Sequence, residues 1–230
     1  MKEMICLANS RKHGGRCIAG LTVHAGEWIR PVSREPDGVL YPRHIRLANG
    51  SQPQVLDLLR APCLKPVPKK YHPEDWELQE MSWSLKARPV GSELLEMVRS
   101  NIQYDGPLLG DTEDRLSCTL LDRKPISSSL ALIAPKDILW LVQPKEGGGI
   151  KRKVSFRLGT VRYMLSLTDP SWETRLQNLS PGSYSYGMEG LSAGEGEPVF
   201  TISLSEPFQP DPTRPGCCYK LVAAVFTLPK

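Results

Sequence analysis

Proline and glycine interrupt this chain so often that long regular elements are disfavoured. The 230 residues include 21 prolines and 19 glycines, and both residue types punctuate regular structure. The segments between them are short and rich in β-branched and aromatic residues, which is typical of strands. Nine segments are predicted strands: MICLAN, RCIAGLTV, EWIRPVS, QVLDLLRAP, LALIAP, DILWLVQP, KRKVSFRLGTVRYMLSLTD, PVFTISLS and CYKLVAAVFTL.

Two segments carry helical signals. Residues 91–103, GSELLEMVRSNIQ, have Ser92 in position to cap, acidic residues in the first turn and an apolar stripe. Residues 169–179, DPSWETRLQNL, place Asp169 at the N-cap and Pro170 at the first helical position. The sequence therefore predicts a mainly β protein with two short helices.

A polar, turn-rich stretch near residues 110–129 divides the chain. Each side holds several strands and one helix, in the proportions of a small β-barrel of about 100 residues. We expect a first barrel over residues 1–115, with its helix near 91–103, and a second over residues 116–230, with its helix near 169–179.

Composition and cysteine usage indicate an ordinary soluble protein. Hydrophobic residues make up 40% of the chain and charged residues 23%. No apolar run reaches the roughly 20 residues that span a bilayer, and MKEMICLANS lacks the apolar core of a signal peptide. We expect a cytoplasmic protein without a membrane partner. Because the six cysteines include no CxxC pair, we expect free thiols and neither a metal nor a cofactor.

The basic residues are segregated along the chain. Residues 1–60 hold nine Lys/Arg against five Asp/Glu, and residues 151–175 hold six against two. The stretches 61–150 and 176–230 are mildly acidic. Two basic zones of this kind form either ordinary solvated faces, two anion-binding surfaces or one composite groove.

The stretch NSRKHGGRCIAG, residues 9–20, places cations beside glycines, as phosphate-binding loops do. A nucleotide-binding phosphate loop needs GxxxxGK[ST] followed by a helix, and a strand-like run follows here, so that class of site is excluded. A β-hairpin fits better. We expect a three-residue loop, His13 to Gly15, with Lys12 facing Arg16, Leu7 paired with Leu21 and Ile5 with Val23. Two opposed cations would repel unless an anion or an acid lies between them.

Other candidate side chains are also cations, or an aromatic ring beside a cation, on predicted strand faces. Trp28 and Arg30 alternate with Ile29, which would combine base stacking with a phosphate contact on one face. In the second basic zone Lys151, Lys153 and Arg157 share a strand face with Ser155. The full set of expected nucleic-acid contacts is Arg11, Lys12, Arg16, Trp28, Arg30, Arg34, Lys151, Lys153 and Arg157. Asn9, Ser10, Thr168 and Asp169 are weaker ligand candidates. For Asp169 a helix N-cap is the favoured explanation, and a ligand contact beside Thr168 is the alternative.

Catalytic readings find little support in the residue spacing. A Cys17–His44 nucleophile pair is conceivable, but nothing in the sequence favours it. The HPEDWE stretch, residues 72–77, has metal-binding residue types without an HExxH pattern, and a solvated loop explains it. We expect no catalytic residues.

The stretches LANSRKHGGRCIAG and WIRPVS, with YMLSLTDP much later in the chain, resemble the dual OB-containing domain family. This resemblance covers most of the chain and implies two tandem OB-like small β-barrels. It also implies a prokaryotic source and a link to nucleic-acid metabolism or defence. OB folds often bind oligonucleotides on the face of strands 2 and 3, which would carry Arg16, Ile18, Trp28 and Arg30 here. The first half departs from single-strand-binding barrels in offering few aromatics, mainly Trp28 and Tyr41.

Together these observations predict a non-enzymatic binding module for nucleic acid, single-stranded DNA or RNA, or for a nucleotide-like ligand. The alternative is a protein-interaction module that regulates a defence or nucleic-acid-processing partner through its basic zones. An uncharacterised hydrolase, with a pH profile set by His44 or Asp169, is a third reading.

Overall fold

The computed structural model describes residues 1–228, which form two compact units. The first unit comprises Met1–Asn101 and Ile126–Ser129, and the second comprises Ile102–Pro125 and the described residues from Leu130 onward. Residues 102–115, which we assigned to the first barrel, therefore pack in the second unit. The last two residues of the expected second barrel, 229 and 230, lie outside the described range.

The first unit is built around a seven-stranded sheet and one helix. Its strands are β1 (Lys2–Lys12), β2 (Gly15–Thr22), β3 (Trp28–Val32), β4 (Leu58–Ala61), β5 (Cys63–Pro66), β6 (Asp75–Leu78) and β7 (Ser84–Ala87), and its helix is α1 (Ser92–Ser100). Short 3-10 turns occupy Pro36–Gly38 and Pro42–His44. Ser92 is the first residue of α1 and Gly91 is its N-cap, so the cap lies one residue earlier than expected.

The pairing of these strands closes a barrel. β1, β2 and β3 form an antiparallel meander, β3 pairs with β6 in parallel, and β6 pairs with β5. β4 pairs with β1, and only Pro62 separates β4 from β5. Because proline lacks the backbone donor that a ladder needs, one long strand is bent there into two halves. Its halves pair with β1 and with β6, which gives the five strands of an OB barrel.

The interior of the first barrel is apolar. Met4, Ile18, Ile29, Leu59 and Trp83 belong to one buried cluster and are fully excluded from solvent. Strand alternation explains this set, because residues two apart on a strand share a face. Gly20 lies where a side chain would not fit, since an added Cβ would lie 1.8 Å from the carbonyl oxygen of Ile5.

The second unit holds nine strands and two helices among its described residues. The strands are β8 (Ile102–Gln103), β9 (Arg115–Ser117), β10 (Leu130–Ile133), β11 (Lys136–Pro144), β12 (Ile150–Leu158), β13 (Val161–Leu167), β14 (Gly182–Ser185), β15 (Glu197–Leu204) and β16 (Cys217–Leu228). The helices are α2 (Cys118–Arg123) and α3 (Pro170–Arg175), and Leu108–Gly110 forms a 3-10 turn.

The second unit closes by the same pattern of pairs. β11, β12 and β13 form an antiparallel meander, β13 pairs with β16 in parallel, and β16 pairs with β15. β15 pairs with β10, and β10 continues into β11 after Ala134 and Pro135. The bent strand formed by β10 and β11 again pairs at both of its halves, with β15 and with β12, and so closes the ring. In both units, therefore, the third strand of the meander pairs in parallel with the last strand of the ring, β3 with β6 and β13 with β16, and a bent strand completes the ring.

The second core is more aromatic than the first. Trp140 of β11 stacks on Trp172 of α3 with ring centroids 4.1 Å apart, and Phe156 meets Phe200 edge-on at 5.5 Å. The Trp172 indole donates to the Val225 carbonyl oxygen, so its buried polar group is satisfied. These contacts of Trp172 hold α3 against β11 and β16.

The chain is thus mainly β, as expected, and strands occupy all nine predicted segments. The predicted helices are present over shorter ranges, and α2 is a third that the sequence did not indicate. Its CTLLDR sequence is too short to show a periodic apolar face. Within residues 1–228, no helix is long and apolar enough to span a membrane.

Candidate functional site

The hairpin at residues 9–20 is present, but its loop is shorter than expected. Lys12 pairs with Gly15 and Arg11 with Arg16, so only His13 and Gly14 form the turn. Both turn residues have positive φ, 44° and 78°, which defines the type I′ turn of tight hairpins. A bulge between Cys6 and Ala8 absorbs the change of register, because one extra residue on β1 restores the alternation of faces.

The corrected register changes which cations oppose each other. Arg11, not Lys12, lies directly across from Arg16, and Ile5 pairs with Leu21. Lys12 Nζ donates to the Asp37 carbonyl oxygen at 2.6 Å, and the His13 ring lies 3.8 Å from the Asp37 carboxylate. Asp37 thus lies beside Lys12 and His13 at the tip of the hairpin.

Arg30 does not lie on an exposed face, contrary to our expectation. Its side chain is 3% exposed, and Nε donates to Asp75 Oδ1 at 2.6 Å while Glu74 Oε1 lies 3.8 Å away. Burial raises the pKa of Asp75, and the Arg30 cation lowers it. Ala19 and Leu21 are also buried, because the outer side of β2 and β3 is covered. Trp28 remains half-buried, so the expected stacking face of the first barrel is closed at Arg30.

Three other candidates of the first unit have internal partners. The Arg34 side chain is 81% exposed but bonds Glu77, with Nη2 2.5 Å from Oε1. Asn9 Nδ2 donates to the Pro53 carbonyl oxygen at 2.8 Å, whereas its buried Oδ1 has no hydrogen-bond partner among the described residues. Ser10 is buried, and its hydroxyl donates to the Cys17 carbonyl oxygen at 3.5 Å.

Thr168 and Asp169 have structural roles. Asp169 is the N-cap of α3, where Oδ1 accepts from the backbone of Ser171 and Trp172. Its second oxygen accepts from the Val225 backbone at 2.9 Å, and Thr168 donates to the Val222 carbonyl oxygen at 3.1 Å. Both carboxylate oxygens therefore have internal hydrogen-bond partners, and Asp169 is the N-cap of α3, as its sequence position predicts.

The predicted cations of the second unit do share one open face. Val154, Phe156 and Leu158 of β12 are fully buried, so the alternate residues Lys151, Lys153 and Arg157 point outward. The register places Arg162 of β13 directly across from Arg157, Met164 across from Ser155 and Ser166 across from Lys153. We call the outward cations Lys151, Lys153, Arg157 and Arg162 the basic face.

Sequence reasoning missed Arg162, although the signal was available. In VRYMLSL the alternate residues Tyr163, Leu165 and Leu167 are buried, so Arg162 and Met164 must lie on the outer side. Met164 is 44% exposed. Because Arg162 lies directly across from Arg157, the positive charge of the basic face is greater than the cations of β12 alone would give.

One carboxylate moderates this charge. Asp137 Oδ2 lies 2.7 Å from Arg157 Nε and 4.0 Å from Arg162 Nη2, and the hydrogen bond from Arg157 lowers the pKa of Asp137. Lys136 pairs with Arg157 across β11, so the cations outnumber the acid on this row. A shallow pocket of about 460 Å³, lined by Asp137, Leu139, Arg162 and Tyr186 among others, adjoins it.

The catalytic readings gain no geometric support. A nucleophilic cysteine needs a lowered pKa, yet burial raises the pKa of Cys17. His44 accepts a backbone hydrogen bond from Tyr41 on Nδ1, and burial beside Arg43 lowers its pKa. It borders a 660 Å³ pocket with Arg34, Arg43 and Met81. Within the described part of the chain, no group of His, Cys, Asp and Glu is arranged to hold a metal ion.

Comparison with known proteins agrees with the connectivity of the two units. The family model of the dual OB-containing domain matches residues 2–225, which includes all the strands of both closures except the last residues of β16. A search of curated proteins finds no match to the chain. Because the model covers nearly the whole length and each unit closes five strands, this chain belongs to the dual OB-containing domain family and is an OB-fold binding module.

Proposed function

We propose that this protein binds nucleic acid without catalysing a reaction, and that the basic face of the second barrel contacts the phosphate backbone. The observation that carries the proposal is the open side of β12 and β13, where four cations lie on the opposite face from the buried Val154, Phe156 and Leu158. β12 and β13 are the second and third strands of their barrel, the face that OB folds use for oligonucleotides.

The hairpin tip of the first barrel supplies a second set of phosphate contacts in this proposal. Arg11 and Arg16 are opposed there with Lys12 beside them, and like charges held together favour a polyanion over a single small anion. Trp28 and Arg34 remain predicted contacts, whereas the buried Arg30 is omitted.

Fluorescence anisotropy with labelled oligo-dT and oligo-U tests this function. Because phosphate binding releases counterions, affinity should fall steeply between about 50 and 200 mM salt. The double variant Lys153→Ala/Arg162→Ala should bind roughly ten-fold more weakly, with a salt slope smaller by about 1.4, since two phosphate contacts are lost.

The matched control is Arg123→Ala/Lys124→Ala, which removes the same charge from exposed positions at the end of α2. It should bind like the wild type. Absence of binding at low salt, or equal losses in the two double variants, would contradict the proposal and favour a protein partner.

A further inference from the structure

The connection between β15 and β16 holds an aromatic side chain in solvent. Phe208 is 53% exposed, although its backbone is fixed by two hydrogen bonds with Cys217, of 2.8 and 3.0 Å. Its ring centroid lies 6.3 Å from that of Tyr219, with the planes tilted by 52°. A large apolar ring on an ordered backbone is not explained by core packing.

A cation flanks the same rings. Arg115 of β9 pairs with Tyr219 of β16, and its guanidinium carbon lies 5.9 Å from the tyrosine ring centroid. Arg115 Nη1 also donates to the Tyr219 hydroxyl at 3.4 Å. We call Phe208, Tyr219 and Arg115 the aromatic platform.

The aromatic platform and the basic face lie on the same side of one sheet. Cys218, Lys220 and Val222 of β16 are buried, so Tyr219 and Leu221 point outward. Leu221 pairs with Ser166 of β13, and Ser166 pairs with Lys153 of the basic face. A ligand that follows the cations across β12 and β13 therefore reaches β16, where Tyr219 lies two residues before Leu221 and beside Phe208 of the preceding connection.

We propose that the aromatic platform stacks unpaired bases, so that the ligand of this protein is a single-stranded nucleic acid. This inference rests on the proposed function and adds what the phosphate contacts alone do not specify. Phosphates are displayed by single strands and duplexes alike, whereas base faces are accessible only in unpaired strands. Rings flanked by an arginine suit that contact, since guanidinium groups also stack on bases.

The positive charge of the basic face favours single-stranded nucleic acid over an apolar protein segment as the ligand of the aromatic platform. The adjoining basic face favours a polyanion, and Arg115 adds another cation beside the rings. Nucleic acid combines a negative backbone with flat apolar bases, which matches both surfaces together.

Phe208→Ala provides the test, because an exposed side chain can be truncated without opening the core. We expect binding of oligo-dT to weaken about ten-fold or more, as loss of one stacked base costs, with an unchanged salt slope. Phe208→Tyr should retain wild-type affinity. An oligonucleotide carrying 2-aminopurine should be quenched on binding to the wild type and less so by Phe208→Ala.

The matched control is Tyr104→Ala, which removes another exposed aromatic ring, bonded to Glu197. It should leave binding unchanged, and duplex DNA of equal length should compete poorly. Equal affinity of Phe208→Ala and wild type, together with effective duplex competition, would overturn the stacking inference while leaving salt-dependent phosphate binding intact. Failure of the proposed function is distinguishable, because the wild type itself would then not bind.

Discussion

At the scale of single residues, Arg30 points out of the barrel as strand alternation predicts, but tertiary packing buries it on that side. Alternation with Ile29 puts its side chain outside the first barrel, yet that side is covered and the guanidinium is buried against Asp75. A buried charge is tolerated only when an opposite charge compensates for the lost hydration. The pair is incomplete, since Arg30 Nη2 and Asp75 Oδ2 lack hydrogen-bond partners among the described residues.

The Arg30→Met variant should lower the free energy of unfolding by about 3–5 kcal/mol, because it leaves the Asp75 carboxylate buried without a counter-charge. Urea unfolding followed by circular dichroism measures this change. The control Arg34→Met, which breaks the exposed bond to Glu77, should have little effect. Equal effects of the two variants would mean that Arg30 is not held in a dry environment.

The loss of stability in Arg30→Met should depend on pH. Without Arg30, desolvation raises the pKa of Asp75 further. A carboxyl whose pKa is higher in the folded state stabilises the fold below its unfolded pKa, and that stability is lost as pH rises through the folded value. The deficit of Arg30→Met relative to wild type should therefore be smallest near about pH 4 and grow toward neutrality.

At the scale of elements, the first hairpin depends on its turn and its bulge together. A two-residue loop fits the right-handed twist of the flanking strands, and the extra residue near Leu7 lets the apolar side chains still face inward. The predicted three-residue loop would also place the large apolar side chains of β1 and β2 on one face, without a bulge. Local alternation could not distinguish these solutions, because both bury the same kinds of side chain.

Gly14→Ala should destabilise the first unit by about 1–2 kcal/mol, since an L side chain at φ 78° is strained. No atom lies within 4 Å of the added Cβ, so strain alone causes the loss. Gly91→Ala is the control, because Gly91 has φ −70° and open space around it. Because Gly91 is the N-cap of α1, alanine there should cost less than about 1 kcal/mol through weaker capping and should leave the hairpin intact. A smaller loss in Gly14→Ala than in Gly91→Ala would contradict strain at the turn.

At the scale of the whole molecule, two barrels of the same connectivity bury their cores separately. They differ in what their outer faces display. Arg30 and Leu21 are buried on the first barrel, whereas Arg157 and Arg162 of the second are open. Shared connectivity therefore does not give the two units the same binding surface, since a fold fixes strand positions but not what covers them.

The cysteines report on the integrity of the whole fold. All six are free thiols. Cys6, Cys63 and Cys218 are buried, and burial raises the pKa of Cys63 and Cys218 to about 12. In the native protein, a thiol reagent such as DTNB should label at most the three half-buried residues Cys17, Cys118 and Cys217. All six should react in guanidinium, and six fast thiols in native buffer would contradict the packing of both barrels.

Much of this outcome could be predicted from local pattern. The nine strand segments, the Asp169 cap and the outward side of β12 all follow from residue periodicity and capping chemistry. The boundary of the first unit could not be predicted in this way. Residues 126–129 pack in the first unit, where the Glu74 carboxylate accepts a hydrogen bond from the Ser129 backbone at 3.0 Å. A contact across that separation leaves no local signal.

The sequence by itself determined the mainly β class and the cations of β12, because strand periodicity and turn residues act over a few positions, and its motifs determined the family by resemblance. Only the tertiary structure decided that Arg30 is buried, that Arg162 opposes Arg157 and that Tyr219 shares a face with Lys153. These features depend on which strands become neighbours and on what covers them. Such relations are fixed by long-range packing of the cores, in which residues far apart in the chain exclude water together.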